Sequence, residues 1–359
     1  MATLRDIAAR ANVSVATASH VVSGAVKVSP KLRARVLEAI AELKYHPNVT
    51  ARTLRTNESM AVGIIVPDIA DPFFPNLVRG AEDVLSKAGY TLFIGNSDND
   101  ESKEKSYFKG FTERQVDGLI AVASTDWAPD FLRSNTPQFP IVYADRGYID
   151  MPGDVVLADN VASSQIAVAH LIEMGYERIA TITGPQRLAN ARGRLDGYLR
   201  ALRSRGLREE ASWIKEGEFT SASGYARAKE LLCLKRRPDA IFVANAAMAL
   251  GAFEGLQESG LNCPDEIGLI SFDEQDWFTA VRPDISAMAA RSYEIGSSAA
   301  ELLIMRIRKD PGADRVPRTV PPQLNVRGSS NRNGAQRLEK DFSSAEKAQD
   351  DELVGDKTA

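Results

Sequence analysis

The chain has 359 residues, 44% of them hydrophobic and 26% charged, with a net charge of −4; this is enough for more than one packed core and ordinary for a soluble globular protein. No run approaches the uninterrupted apolar length of a membrane span, and Arg5, Asp6 and Arg10 interrupt the start, so no secretory signal is read there. Cys233 and Cys263 lie far apart, and His20, His46 and His170 form no ligand-like pair, so neither a disulfide nor a metal site is expected.

Thr3 opens the first element. It precedes an apolar-periodic run and has Asp6 three residues on, close to a capping box. Leu4, Ile7, Ala8 and Ala11 share one helical face. Asn12 and Val13 make a short turn, Ser14 caps a second helix from Val15 to about Val22, and Gly24 stops it. Ser29-Pro30 gives an N-cap and a proline at the first position of a third helix. That helix carries Leu32, Val36, Leu37, Ile40 and Leu43 on its buried side and ends at His46-Pro47.

Two short helices joined by a tight turn, with a third behind, form a helix-turn-helix; the N-terminal end of the second enters the major groove of DNA. The second helix here is small and polar outside (Ser14, Ala16, Thr17, Ser19, His20), which permits close approach to base edges. Residues 1–60 hold nine Lys or Arg against four Asp or Glu, about +5 on a chain of −4. A basic head on an acidic body is the footprint of a polyanion binder. A three-helix bundle used only for packing leaves that charge unexplained.

Asn48 caps a stub, residues 49–55, of about two turns, too short to be stable alone in water. It therefore points to folding on binding. Arg52 and Arg55 make it positive, and Leu54 gives it one large apolar tip. Residues 56–60 are a polar connection.

Beyond Met60 the period changes. Short β-rich runs at 61–66, 91–95, 117–122 and 141–145 alternate with helical patterns at about 73–89, 101–115 and 127–135. The alternation resumes with runs at 155–158, 178–183, 239–244 and 266–272, separated by helices at about 161–174, 189–206, 222–234 and 245–259. A helix at about 291–308 and a strand at 323–327 finish the fold. Apolar strands alternating with helices predict parallel sheets covered on both faces. The unit occurs twice, so the fold class is α/β, with two doubly wound subdomains behind the head. Residues 328–359 are polar and charged and are expected to be disordered, without the sustained heptads of a coiled coil.

At this point the chain resembles the LacI (lactose/galactose/purine repressor) family of bacterial transcription regulators over about 2–328. The head matches in TLRDIAARANVSVATASHVV and the stub in NVTARTLR. The body matches in VPDIADPFF, GYTLFIGNSD, QVDGLIAV, PIVYADR, HLIEMGYERIATITGP, RLDGYLRAL, FVANAAMALGAFEGL and ISFDE, in the family's order. The resemblance implies a helix-turn-helix domain at 1–47 and a hinge helix and linker at 48–60. At 61–327 it implies a periplasmic-binding-protein-like body that binds effector and dimerises. It also implies a cytoplasmic homodimer on a near-palindromic operator in double-stranded DNA, with no cofactor and no membrane partner.

For DNA, the resemblance places base reading on Val15, Ala16 and His20, with Ser14 and Thr17 suited to phosphates and Thr3 and Leu4 at the head's leading edge. The hinge set is Asn48, Arg52, Leu54 and Arg55, with Leu54 wedged between base steps. The family commonly has Arg where this chain has His20; histidine offers at most a single-point contact where arginine reads guanine with a fork.

For the effector, a sugar or sugar derivative in the inter-subdomain cleft, the resemblance implies Asp145, Arg194, Asn245 and Asp273, with Phe73 and Phe219 as apolar walls. Helix capping by Asp145 and Asp273, a structural ion pair for Arg194 and a core role for Phe73 are the plainer alternatives. Ala246 departs from the family's usual Asn-Asp at 245–246. Arg192 and Arg291 add positive charge near the cleft and lean toward an acidic ligand. A sugar-binding protein without DNA function is the main rival. An enzyme is disfavoured, because no phosphate loop, no GxSxG and no histidine placed to activate a serine is found.

Overall fold

The structure, a computed structural model, describes residues 2–23, 28–45, 58–123, 139–146, 154–310, 318–321 and 323–332. The chain divides into two compact units, Met1–Ser59 and Met60–Ala359.

The first unit contains α1 (Leu4–Arg10), α2 (Val15–Ser23) and α3 (Pro30–Glu42). The capping box is formed: the Asp6 N–H donates to Thr3 Oγ1 at 3.3 Å and the Thr3 N–H to Asp6 Oδ2 at 2.8 Å. Asn12 turns the chain with φ 48°, a left-handed value that asparagine tolerates. Arg35 of α3 reaches back to that turn and donates to the carbonyls of Ala11 and Asn12, at 2.5 and 3.0 Å. Ile7, Ala8, Ala11, Ala18, Val36 and Ala39 make the core.

The third helix departs from expectation on three points. Leu37 is 49% exposed and Leu43 36%. The buried stripe runs through Val36 and Ala39; at roughly 100° per residue Leu37 rotates off it, and Leu43 is the C-cap. Ser29 is extended but makes no side-chain capping bond. The helix ends at Glu42, with Lys44 left-handed at φ 44°. Gly24 and His46-Pro47 lie outside the described residues, as does the whole hinge set, Asn48, Arg52, Leu54 and Arg55.

The second unit holds two sheets. The first is built from β1 (Ala61–Val66), β2 (Thr91–Asn96), β3 (Gly118–Ala121), β4 (Ile141–Ala144), β5 (Asp154–Ala158) and β11 (Arg318–Val320). Its strand order is β11-β5-β4-β3-β1-β2, parallel throughout. Helices α4 (Phe73–Lys87), α5 (Glu101–Glu113) and α10 (Ser292–Ile307) cover it.

The second sheet is built from β6 (Ile179–Thr183), β7 (Ile214–Glu216), β8 (Ala240–Val243), β9 (Gly268–Phe272), β10 (Ser286–Ala289) and β12 (Gln323–Asn325). Its order is β12-β10-β9-β8-β6-β7, with only the β10–β12 pair antiparallel. Helices α6 (Asn160–Glu173), α7 (Ala189–Ser204), α8 (Ser221–Leu232) and α9 (Ala246–Glu258) belong to this half. The two orders match strand for strand, so the doubled α/β unit read from the sequence is present.

The chain passes between the halves three times: between β5 and α6, between β10 and α10, and between β11 and β12. The run at 155–158 therefore completes the first sheet instead of starting the second. The helix expected at 127–135 lies outside the described residues. In the first half, α4 and α10 touch backbone to backbone. A Cβ on Gly80 would lie 2.0 Å from the Tyr293 carbonyl oxygen, and one on Gly296 would lie 1.9 Å from that of Leu77.

Gly328–Ser330, read from sequence as the head of a polar tail, form a 3-10 turn with Ser329 and Ser330 buried. Ser329 Oγ donates to the Leu269 carbonyl at 2.7 Å, and Ser330 Oγ sits 2.7 Å from His170 Nε2. The sequence predicts no such histidine–serine pair. Both members are buried and Ser330 bonds on to Ser286, so the pair ties the chain's return to the second sheet. Residues 333–359 lie outside the described set. Among the described residues no helix is long and apolar enough to cross a membrane, and no cluster of His, Cys, Asp or Glu could hold a metal.

Candidate functional sites

The head presents one end of α2. Ser14 accepts the Thr17 N–H at 3.0 Å, and the two hydroxyls lie 2.8 Å apart, so this cap fixes the helix start. Ala18 is fully buried, whereas Val15, Ala16 and His20 are exposed. The spacing of 15, 16 and 20 puts them on the face opposite the core. Thr17 is half-buried at the cap. Thr3 is exposed with its hydroxyl 2.8 Å from Asp6 Oδ2, and Leu4 is half-buried against the core.

In the body, β4 and β9 occupy the same place in the two sheets, and each is followed at once by an aspartate. Asp145 has φ 59° and Asp273 has φ 65°. Each donates its backbone N–H at 2.9 Å to the neighbouring strand, Asp145 to Val156 and Asp273 to Met288. The internal repeat thus supplies two equivalent carboxylates at the carboxyl ends of the strands, where open α/β sheets bind ligands. Phe219 is also left-handed, at φ 59°. Non-glycine residues in that region cost about 1–3 kcal/mol each and cluster at functional sites.

Arg194 of α7 is 2% exposed. It donates through Nε to Asn160 Oδ1 at 2.8 Å and through Nη1 to the Ala244 carbonyl at 2.5 Å and Asp273 Oδ2 at 3.4 Å. Its guanidinium lies 3.7 Å from the Phe272 ring centre. Arg146, which the sequence reading did not single out, is 7% exposed. It lies between two rings, 5.3 Å from the centre of Phe74 in the first half and 5.3 Å from that of Phe219 in the second. Its Nη1 reaches Asn99 at 3.4 Å and its Nε lies 3.7 Å from Asp145 Oδ2. Burial lowers its pKa, opposed chiefly by Asp145.

Three buried polar atoms here have no hydrogen-bond partner: Asp145 Oδ1, Arg146 Nε and Asp273 Oδ1. Buried polar atoms are nearly always paired, and leaving one unpaired costs about 1–3 kcal/mol. All three lie where the carboxyl ends of β4 and β9 meet the Arg146 and Arg194 guanidinium groups.

The other expected cleft residues are less open. Asn245 caps α9, accepting the Met248 N–H at 2.9 Å, and its amide donates to the Phe219 carbonyl at 3.3 Å. It therefore holds the Phe219 loop. Phe73 is half-buried, edge-on to Phe74 at 5.2 Å. Arg192 donates to the Gln186 carbonyl at 3.0 Å, and Arg291 pairs with Glu294 at 2.9 Å. Both cations are engaged locally, Arg192 with main-chain carbonyls and Arg291 with a carboxylate. Asp71, just before α4, is a further missed member. Burial raises its pKa, with the Phe73 N–H and Arg146 opposing.

Burial pushes the Asp273 carboxyl up to about 7, with Arg194 pulling against it. A folded pKa above the ordinary 3.8 means that this group's contribution to stability is complete below 3.8 and is lost as pH rises through about 7. Asp273→Asn keeps the neutral form at every pH. The stability gap between it and the parent protein is expected to open from about pH 4 and level off above about pH 7. Urea midpoints across that range check this; a gap that does not move with pH would place the titration elsewhere.

Residues 3–48 match the family model described as bacterial regulatory proteins, lacI family, and residues 168–330 match that of the periplasmic binding protein-like domain. The chain is 33% identical over 331 residues to an HTH-type transcriptional repressor, PurR, of Aliivibrio salmonicida, covering 92% of this chain and 99% of that one. It is 32% identical to the ribose operon repressor of Escherichia coli, covering 92% and 100%. Its fold is similar to that of the lac repressor dimer bound to operator and the anti-inducer ONPF, with TM-score 0.81 and 25% identity over 92% and 99% of the two chains.

Proposed function

We infer, because this chain belongs to the LacI family of bacterial regulatory proteins, that its cleft receives a small effector and that the occupied cleft governs operator binding by the head. The chain is a DNA-binding transcription regulator and not an enzyme; repression is the outcome its named relatives support. The match of residues 3–48 to the family's DNA-binding model displaces the rival without DNA function.

The observation that carries the effector reading is the set of unpaired atoms at Asp145, Arg146 and Asp273. They ask for a ligand with several hydroxyl groups. The cleft holds the guanidinium groups of Arg146 and Arg194 against the carboxyl groups of Asp71, Asp145 and Asp273, so it carries no cationic surplus for an anion. The faces of Phe74, Phe219 and Phe272 are already covered by arginine, which favours a polyol over a flat nucleobase. Neutral sugars are therefore the expected class. A thermal-shift screen across neutral sugars, sugar acids, sugar phosphates and nucleobases tests it. Ligand at a hundred times its Kd adds about 2.7 kcal/mol. Shifts confined to the anions or to the nucleobases would overturn the class.

On DNA, α2 enters the major groove with Val15, Ala16 and His20 toward the bases and Ser14 and Thr17 toward phosphates. Thr3 and Leu4 lead the head, and the segment with Asn48, Arg52, Leu54 and Arg55 folds over the minor groove, with Leu54 as its wedge. Two copies act together. The outer strand β2 exposes Phe93 at 44% and Ile94 at 46%, apolar surface that a second copy would cover. Effector binding shifts the population of the two body poses, and so whether the hinge segments meet. His20→Arg is expected to favour guanine at one symmetric base pair by roughly 1–3 kcal/mol. Selection from randomised DNA reads this directly, and an unchanged site would remove His20 from the reading set.

A further inference from the structure

Asp71 and Gln275 meet across the cleft. Asp71 lies at the start of α4 in the first half, where its Oδ1 accepts the Phe73 N–H at 3.0 Å. The same oxygen receives Gln275 Nε2 from the second half at 3.5 Å. The Gln275 amide is not free to turn, because its Oε1 accepts the indole N–H of Trp277 at 2.7 Å. That bond points the amide's donor end at Asp71. Trp277 is in turn stacked edge-on against Phe278 at 4.5 Å, and Phe278 is fully buried in the second core.

Both ends sit on the loops that carry cleft residues. Asp71 is two residues before Phe73, and Gln275 is two residues after Asp273. On the first-half side the pull acts on α4, which is locked to α10 at Gly80 and Gly296 and so moves as part of a rigid pair.

We propose that Asp71, Gln275 and Trp277 form a latch between the two halves, a set of positioning residues that holds the Phe73 and Asp273 loops at one separation. One long hydrogen bond is weak enough to break and re-form as the halves move. The latch deepens the effector reading above and rests on it for its purpose, but its existence is tested without any effector. Failure of the latch and failure of the effector screen are therefore separate results.

The test uses the full chain labelled with 5-fluorotryptophan. The protein has three tryptophans, and the fluorine resonance of Trp277 is the one lost in Trp277→Phe. Asp71→Ala is expected to move that resonance and leave the Trp213 resonance in place, although Asp71 does not touch Trp277. In a Gln275→Ala background the same substitution is expected to move nothing. Gln275→Glu provides a second reading. It keeps the acceptor for Trp277 but sets a carboxylate against Asp71, so the radius of gyration in X-ray scattering is expected to rise, and adding Asp71→Asn is expected to bring it back. A Trp277 resonance indifferent to Asp71→Ala, or a shift that persists undiminished without Gln275, overturns the latch; so does a Gln275→Glu protein as compact as the parent.

Discussion

Arg194→Met is expected to lower the stability of the body by about 3–5 kcal/mol, the usual cost of removing one partner from a buried ion pair. The guanidinium serves Asn160, the Ala244 carbonyl and Asp273 at once. Methionine fills much of its volume and satisfies none of them. Asp273 is then left buried with a lone carboxylate and takes up a proton to stay there. Adding Asp273→Asn removes the need for that protonation, so the double variant is expected to recover part of the loss instead of adding to it. Urea denaturation of the four proteins in the cycle measures this. Simple additivity would mean that the 3.4 Å contact between Arg194 and Asp273 contributes nothing.

Gly296→Ala is expected to be nearly as damaging, at about 3 kcal/mol or somewhat more, although alanine is the better helix former by about 1 kcal/mol. The added methyl would lie 1.9 Å from the Leu77 carbonyl oxygen, which is main chain and cannot swing aside. Either α4 and α10 separate or the core around Leu77, Ala81, Ile295 and Ala300 is reshaped. Gly255, in α9, is the matched control. Its nearest neighbour would be the Ala228 Cβ at 3.5 Å, an ordinary contact. Gly255→Ala is expected to be neutral or stabilising by up to about 1 kcal/mol. A pair of variants with equal thermal midpoints would show that the close helix approach is relaxed in solution.

Long periodic segments were legible before any coordinates. Nine of the twelve described strands, and the helices that separate them, announce themselves through apolar runs bounded by turns, and so does their repetition. β7, β10 and β11 did not: Ile-Lys-Glu, Ser-Ala-Met-Ala and Arg-Thr-Val are short and, unlike the equally short β3, β4 and β8, are not set in a β-branched apolar run. Nor did sequence say that the helix after Arg291 returns to the first sheet; parallel pairing is non-local, and the order of strands is decided by packing. In the cleft, Asp145, Arg194 and Asp273 were readable as polar residues in the resemblance's own motifs. Arg146 was not: it closes the same run, PIVYADR, but nothing in the residues around it tells a cation clamped between two rings from a solvated one. Asn245 carried its own clue: an asparagine just before a helical run is first of all a cap, and the Met248 N–H takes that role up.

The three passages between the halves set the order in which the protein can be completed on the ribosome. The first sheet starts at Ala61, yet its helix α10 and outer strand β11 are drawn from residues 292–320. Until those emerge, the side of α4 around Leu77 and Ala81 has no partner and stays open to water. The second half has nearly all its parts by then, short of the edge strand β12. Synthesis from the N-terminus therefore leaves the first half unfinished until most of the second has been made, and the nascent chain offers a sticky helix face to chaperones or proteases for most of its translation.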